Sequence, residues 1–182
     1  MNNTTIFITY NPNTALEETL AARLHTIGAV SGFTMYLPDR FNSENEISEE
    51  SKVRISRSNY LVMFSTKSLS NIVKQEIEFA FNYLNDKSKI IVIYDKLKGK
   101  NLSGEITSHF TSFYFDEFEN RQDKLLEKII NTISHKEKDK VIVQQSNKIS
   151  TLKKQKDDSN ALAALIGVGL GLLVLGAIFS KK

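Results

Sequence analysis

Between Tyr60 and Phe64 the chain reads YLVMF, an unbroken apolar run. A run that short, with no alternation, suits a strand buried on both faces. Such a strand needs a layer above it and a layer below, which points to a sheet covered by helices on both sides. The run breaks at the polar Ser65-Thr66-Lys67-Ser68 and passes into a helical pattern, with Ile72, Val73, Ile77, Ala80, Phe81 and Leu84 on its apolar side.

The remaining segments fall into the same rhythm. Thr5 to Tyr10 (TIFITY) is β-branched and aromatic, as a first strand should be. Asn11-Pro12-Asn13-Thr14 is a turn, and Thr14 with Glu17 reads as a capping box opening a helix from Ala15 to Ile27. That helix presents Leu16, Leu20, Leu24 and Ile27 at helical spacing, with Gly28 expected just past its end. Phe33 to Leu37 is a second strand, followed by a long polar loop from Pro38-Asp39-Arg40. Ser48 is placed to cap a short helix, Glu49 to Arg57. Lys89 to Tyr94 (KIIVIY) is a fourth strand, Lys96 to Glu105 a connection, Ser112 to Phe115 a brief fifth strand, and Phe118 to Ile133 a closing helix. Strand and helix alternating five times with short links predict an α/β fold built on a five-stranded parallel sheet.

In such a sheet, ligands sit beyond the carboxyl ends of the strands. Glu76 lies one to two turns past the third strand's end, and its i−4, i−3 and i+4 neighbours are Ile72, Val73 and Ala80. A carboxylate at that position is expected to point partly inward, toward the sheet end. The plainer alternative is a surface glutamate paired with Lys74 or Lys87. Glu78, two residues on, reads as surface.

Composition narrows the functions available. The chain has 182 residues and a net charge of +3 with both signs interspersed, so no nucleic-acid footprint stands out. It has no cysteine, which excludes disulfides and thiolate metal sites. His25, His109 and His135 lie far apart without ligand-like spacing, so no metal site is expected. The amino terminus lacks the basic start and apolar core of a secretion signal, and the folded part is expected in the cytoplasm.

The carboxyl end differs in kind. Ala161 to Phe179 (ALAALIGVGLGLLVLGAIF) carries no polar side chain and, as a helix, would span roughly 28 Å, near the thickness of a bilayer's hydrocarbon core. Lys148, Lys153, Lys154 and Lys156 precede it and would stay on the cytoplasmic side. The expected organisation is a folded domain over residues 1–134, a polar, lysine-rich tether over 135–160 with room for partial helix, and a single transmembrane helix over 161–179 acting as a tail anchor. Gly167 and Gly171, with Ala163, form a small-residue face that would allow self-association in lipid.

Taken together, FITY, the loop opening at Pro38-Asp39-Arg40, ISEESKVRISRSNYLVMFST, and a serine and glutamate at the spacing of Ser70 and Glu76 resemble a Toll/interleukin receptor (TIR) domain. The likeness is to the prokaryotic kind associated with defence against phage, and covers roughly Thr5 to Ser134. It implies a flavodoxin-like three-layer sandwich and, in catalytic members, cleavage of NAD at the nicotinamide–ribose bond, with NAD as substrate and no further cofactor. Glu76 matches the family's catalytic glutamate. Tyr10 and Asn11 would line the pocket, Asp39 and Arg40 would close it or bind a neighbouring subunit, and Ser70 would stand beside the substrate. Two features depart from the pattern: Ile72 replaces a tryptophan common four residues before the glutamate, and Asn42-Ser43-Glu44-Asn45-Glu46 replaces a loop that often holds a glycine.

On the residues alone, Tyr10 reads equally as packing at a strand end, Arg40 as a solvated loop charge, and Ser70 as the cap of the helix that carries Glu76. Two classes of function follow from the resemblance. One is a membrane-anchored NAD glycohydrolase or ADP-ribosyl cyclase in bacterial immune signalling, partnered by NAD, membrane lipid, copies of itself and other TIR or defence proteins. The other is a non-enzymatic adaptor that recruits TIR proteins at the membrane. A third reading, a bilayer-perturbing effector, sits poorly with a span that has no polar residue to line an aqueous pore.

Overall fold

The β-branched run Thr5–Tyr10 forms strand β1, and around it the chain lays down an α/β sheet. The computed structural model describes residues 4–40, 46–66, 69–95 and 109–154. In chain order, β1 is followed by α1 (Ala15–Val30), β2 (Thr34–Tyr36), α2 (Glu49–Ser56), β3 (Tyr60–Ser65), α3 (Asn71–Tyr83), β4 (Ile90–Tyr94), β5 (Thr111–Tyr114) and α4 (Gln122–Lys154). The sheet has five strands in the order β2-β1-β3-β4-β5, and every pairing is parallel. The expected Ala161–Phe179 span and the Lys96–Glu105 connection lie outside the described residues. Among the described residues no helix is long and apolar enough to cross a membrane.

The chain divides into two units, Met1–Asn131 and Thr132–Lys182. In the first, β3 is buried along its whole length, as YLVMF demands. Strand alternation sorts the core into two layers. Phe7, Leu61, Met63, Ile90 and Val92 share a cluster with Ile55 of α2 and Ile72, Val73, Ile77 and Ala80 of α3. Ile6, Ile8, Val62 and Phe64, at the alternate positions, are fully buried on the other face. There Met35 of β2 lies in register with Ile6 and reaches Gly28 of α1.

Several local expectations are corrected. The Thr14–Glu17 capping box does not form: Thr14 is extended and its side chain caps nothing, while the Glu17 carboxylate is engaged elsewhere. Helix α1 runs past Gly28 to Val30, and its buried face is Glu17, Leu20, Ala21, Leu24 and Gly28, leaving Leu16 exposed. Gly28 packs closely on β2: a Cβ at that position would overlap Sδ and Cε of Met35, and the end of that flexible side chain would have to move. The turn into β2 is made instead by Gly32, whose φ of +88° disfavours any side chain.

Two expectations on capping hold. Ser48 caps α2 by accepting from Ser51 N at 3.1 Å. Ser70 caps α3 by accepting from Val73 N at 3.4 Å.

Toward the carboxyl end, β5 begins one residue earlier than expected, and Phe115–Phe118 forms a 3-10 turn before α4 starts at Gln122 rather than Phe118. Leu125, Leu126, Ile129, Ile130 and Ile133 are buried, as their spacing predicts. The second unit, by itself, carries α4 on to Lys154, so most of the expected tether is helical. Lysine, glutamate and glutamine favour this locally, helped by the Lys140–Glu137 pair at 2.5 Å. Val141, Ile142 and Val143 of this stretch are exposed.

Candidate functional site

In the order β2-β1-β3, the chain leaves β1 toward one side and returns to pair on the other, so a switch point lies beyond the carboxyl ends of β1 and β3. Three segments converge there: the end of β1 (Thr9, Tyr10, Asn11), the end of β3 (Ser65, Thr66) and the first turns of α3 (Ser70 to Glu76).

Glu76 is fully buried. Its inward direction follows from the helix: with Ile72, Val73, Ile77 and Ala80 all buried, position 76 borders the face that α3 turns to the sheet. Thr9 stands in register with Met63 and Val92, and so faces the same layer. The Thr9 hydroxyl donates to Glu76 Oε2. Arg40, from the segment after β2, closes the arrangement with a two-pronged ion pair. Its Nη1 donates to Oε1 at 2.9 Å, and its Nη2 donates to Oε2 at 3.0 Å and to the Tyr10 carbonyl at 3.1 Å. The guanidinium carbon also lies 5.9 Å from the centroid of the Tyr10 ring.

Neither Lys74 nor Lys87 takes the carboxylate. Lys87 instead donates to the carbonyls of Phe81 and Leu84 at the end of α3. Burial raises the Glu76 pKa above the ordinary glutamate value, while the Arg40 charge and the Thr9 and Arg40 hydrogen bonds pull the other way. Burial also raises the Tyr10 hydroxyl.

A second cluster adjoins the first. Glu17, fully buried on α1, spans the two strand ends with its two oxygens. Oε2 accepts from Asn11 N at 2.8 Å and from Asn11 Nδ2 at 2.9 Å. Oε1 accepts from Thr66 N at 2.6 Å and from the Thr66 hydroxyl at 3.0 Å. Asn11 Oδ1 in turn accepts from Ser70 N at 2.7 Å, so the first residue before α3 is tied to the end of β1.

The residues singled out in the sequence therefore divide into three groups. Arg40 meets Glu76, and Tyr10 meets Arg40 through its carbonyl and its ring. Asn11 and Ser70 meet each other one step away. Asp39 is held by its backbone to the start of α2, its N–H donating to the Ser51 hydroxyl at 2.9 Å and its carbonyl accepting from the Ser48 hydroxyl at 3.2 Å. Glu78 is exposed, and Ile72 is buried in the core.

Thr9, Glu17 and Thr66 belong to the site but are not among the residues the sequence singles out for it. Thr9 had a signal, since a lone hydroxyl inside a run buried on both faces needs a buried partner. Glu17 had one as well, because Leu20, Ala21 and Leu24 stand three, four and seven positions on and place it on the inner face. Among the described residues no group of histidine, aspartate and glutamate could hold a metal ion.

The arrangement can present a carboxylate from the floor of the switch point, with a cation and a hydroxyl controlling its charge. No protein-family model matches the chain, and no curated protein matches it. The chain is similar to a solved structure described as a Clostridium botulinum CMP N-glycosidase, BcmB, at 14% identity, covering 69% of this chain and 97% of that chain with a TM-score of 0.49.

Proposed function

We propose that this chain is a TIR-type glycohydrolase that cleaves the nicotinamide–ribose bond of NAD, carried at a membrane by Ala161–Phe179. The observation that bears most weight is Glu76, a carboxylate embedded at the switch point of the sheet with Thr9 and Arg40 on its oxygens. The sequence resemblance to TIR domains picks out the same residue.

The chemistry asks for such a group. The bond between ribose C1′ and the nicotinamide ring nitrogen breaks, and its electron pair leaves with neutral nicotinamide. Positive charge builds on C1′ and the ring oxygen. A carboxylate beside the ribose stabilises that charge and holds the ribose hydroxyls. Water then adds its oxygen to C1′ and gives up a proton, yielding ADP-ribose. Where water is excluded, a nucleophile of the same molecule adds instead and yields a cyclic isomer. Anchoring would serve the reaction by concentrating domains on a surface, which favours sites completed between copies.

The test is nicotinamide release from NAD by the full chain clustered on liposomes, with the product identified by mass. Glu76→Gln should abolish release while circular dichroism stays native. Equal turnover by the variant removes Glu76 from the mechanism. A second reading, the non-enzymatic adaptor, draws support from the same ion pair, because Arg40 and Thr9 already occupy both carboxylate oxygens. No turnover by either protein, together with capture of a second TIR protein, favours the adaptor. Removal of residues Ala161 to Lys182 should shift the protein from the membrane fraction to the soluble one.

A further inference from the structure

The Glu76 carboxylate has no exposed surface, yet a ribose hydroxyl must reach it for the proposed reaction. One of the groups now covering it has to leave. Thr9 belongs to a central strand and is itself fully buried, and α3 is fixed along its inner face by Ile72, Val73, Ile77 and Ala80. Arg40 is different. Its side chain is 19% exposed, long, and set on the segment after β2 rather than within the sheet. Its present seat also leaves a donor unmet, since Nε is buried with no hydrogen-bond partner among the described residues. A side-chain rotation of Arg40 is therefore the least disruptive way to bare the carboxylate.

We propose that Arg40 is a latch on Glu76 that a phosphate group of the substrate releases, making it a residue that selects phosphorylated ribosyl compounds over ribosides without phosphate. A guanidinium fork that grips a carboxylate through two N–H groups grips a phosphate in the same manner. A dinucleotide offers both partners at once: phosphate oxygens for Arg40, ribose hydroxyls for Glu76. A riboside without phosphate offers only the second and would have to break the ion pair without giving Arg40 a new anion. The exchange also gives Nε a chance at an acceptor it lacks in the latched arrangement.

This inference rests on the glycohydrolase reading of Glu76, and the experiment separates the two. Nicotinamide release by the full chain is compared for NAD and nicotinamide riboside, with and without inorganic pyrophosphate, for the wild type and for Arg40→Leu. Binding of inorganic pyrophosphate alone is measured by calorimetry. The wild type should prefer NAD by about 100-fold in kcat/KM, the upper end of what one buried donor left without a partner costs. Arg40→Leu should narrow that preference to about 10-fold or less, raising riboside turnover while lowering that of NAD. Pyrophosphate added in trans should speed riboside cleavage by the wild type only, and should bind the wild type only.

An unchanged substrate ratio in Arg40→Leu, with pyrophosphate binding untouched, overturns the latch and leaves the glycohydrolase reading standing. Release from neither substrate, with pyrophosphate binding still dependent on Arg40, overturns the glycohydrolase reading and leaves Arg40 as an anion site. The wild-type comparison needs no variant: equal cleavage of NAD and the riboside, with no effect of pyrophosphate, is enough to overturn the latch if Arg40→Leu does not fold.

Discussion

Glu17 offers the sharpest test of how the rim of the sheet is held. Its two oxygens accept from Asn11 N and Nδ2 on one side and from Thr66 N and the Thr66 hydroxyl on the other, all in a fully buried setting. A glutamine in its place keeps one acceptor oxygen and turns an NH2 toward the other set of donors. Two hydrogen bonds to a charged acceptor are then lost, each worth about 1.5–3 kcal/mol. Taking the lower figure, Glu17→Gln should cost about 3 kcal/mol, a large part of the roughly 5–15 kcal/mol that keeps a domain folded. Thermal denaturation of the full chain followed by circular dichroism should show a fall in Tm of about 10 °C.

Glu17→Ala strands all four donors and opens a hole as well, and should exceed about 5 kcal/mol. Thr66→Val removes only the hydroxyl contact, so its effect should shrink in the Glu17→Gln background, the mark of a shared acceptor. A Glu17→Gln protein within about 0.5 kcal/mol of the wild type, the range of an ordinary surface change, would refute the account of Glu17 as the buried link between β1 and β3.

Two further outcomes are expected. Burial raises the folded-state pKa of Glu76 above the ordinary value of 4.5, so the fold holds that proton more tightly than the unfolded chain does. The stability this group contributes is thus fully present below the unfolded pKa and declines as pH rises through the raised folded one. Since glutamine cannot ionise, the Tm of Glu76→Gln minus that of the wild type should become more positive as pH rises above the ordinary value of 4.5. A flat or falling difference contradicts it. Gly32 has φ of +88° and open space around an added Cβ, so Gly32→Ala should cost about 1 kcal/mol through backbone strain alone, and Gly32→Asn less. Equal stability of all three proteins in urea denaturation would show that the turn is not held at positive φ.

How much of this could be read beforehand varies by element. Strand β3 and helix α3 follow directly from YLVMF and the spacing of Ile72, Val73, Ile77 and Ala80, because strand and helix periodicities are local properties of the chain. The same spacing placed Glu76 at the edge of the apolar stripe. The partner of that carboxylate was a different matter. Lys74, on the helix, and Lys87, just past its end, were the cations offered nearby in sequence, whereas Arg40 stands 36 residues earlier and arrives only because β2 pairs beside β1. Glu17 misled for a related reason: Thr14 and Glu17 satisfy a capping pattern, but once α1 docks, Asn11 and Thr66 claim the carboxylate first.

The amino-acid sequence by itself determined the alternation of strands and helices, the burial of the central strand, the caps at Ser48 and Ser70 and the inward lean of Glu76. Each of these is fixed by side chains within a few positions of one another. The tertiary structure alone decided which charge meets Glu76, which strand ends Glu17 joins and that Gly28 packs against Met35. Those contacts lie between segments far apart in the chain, and the order of strands in the sheet brings them together.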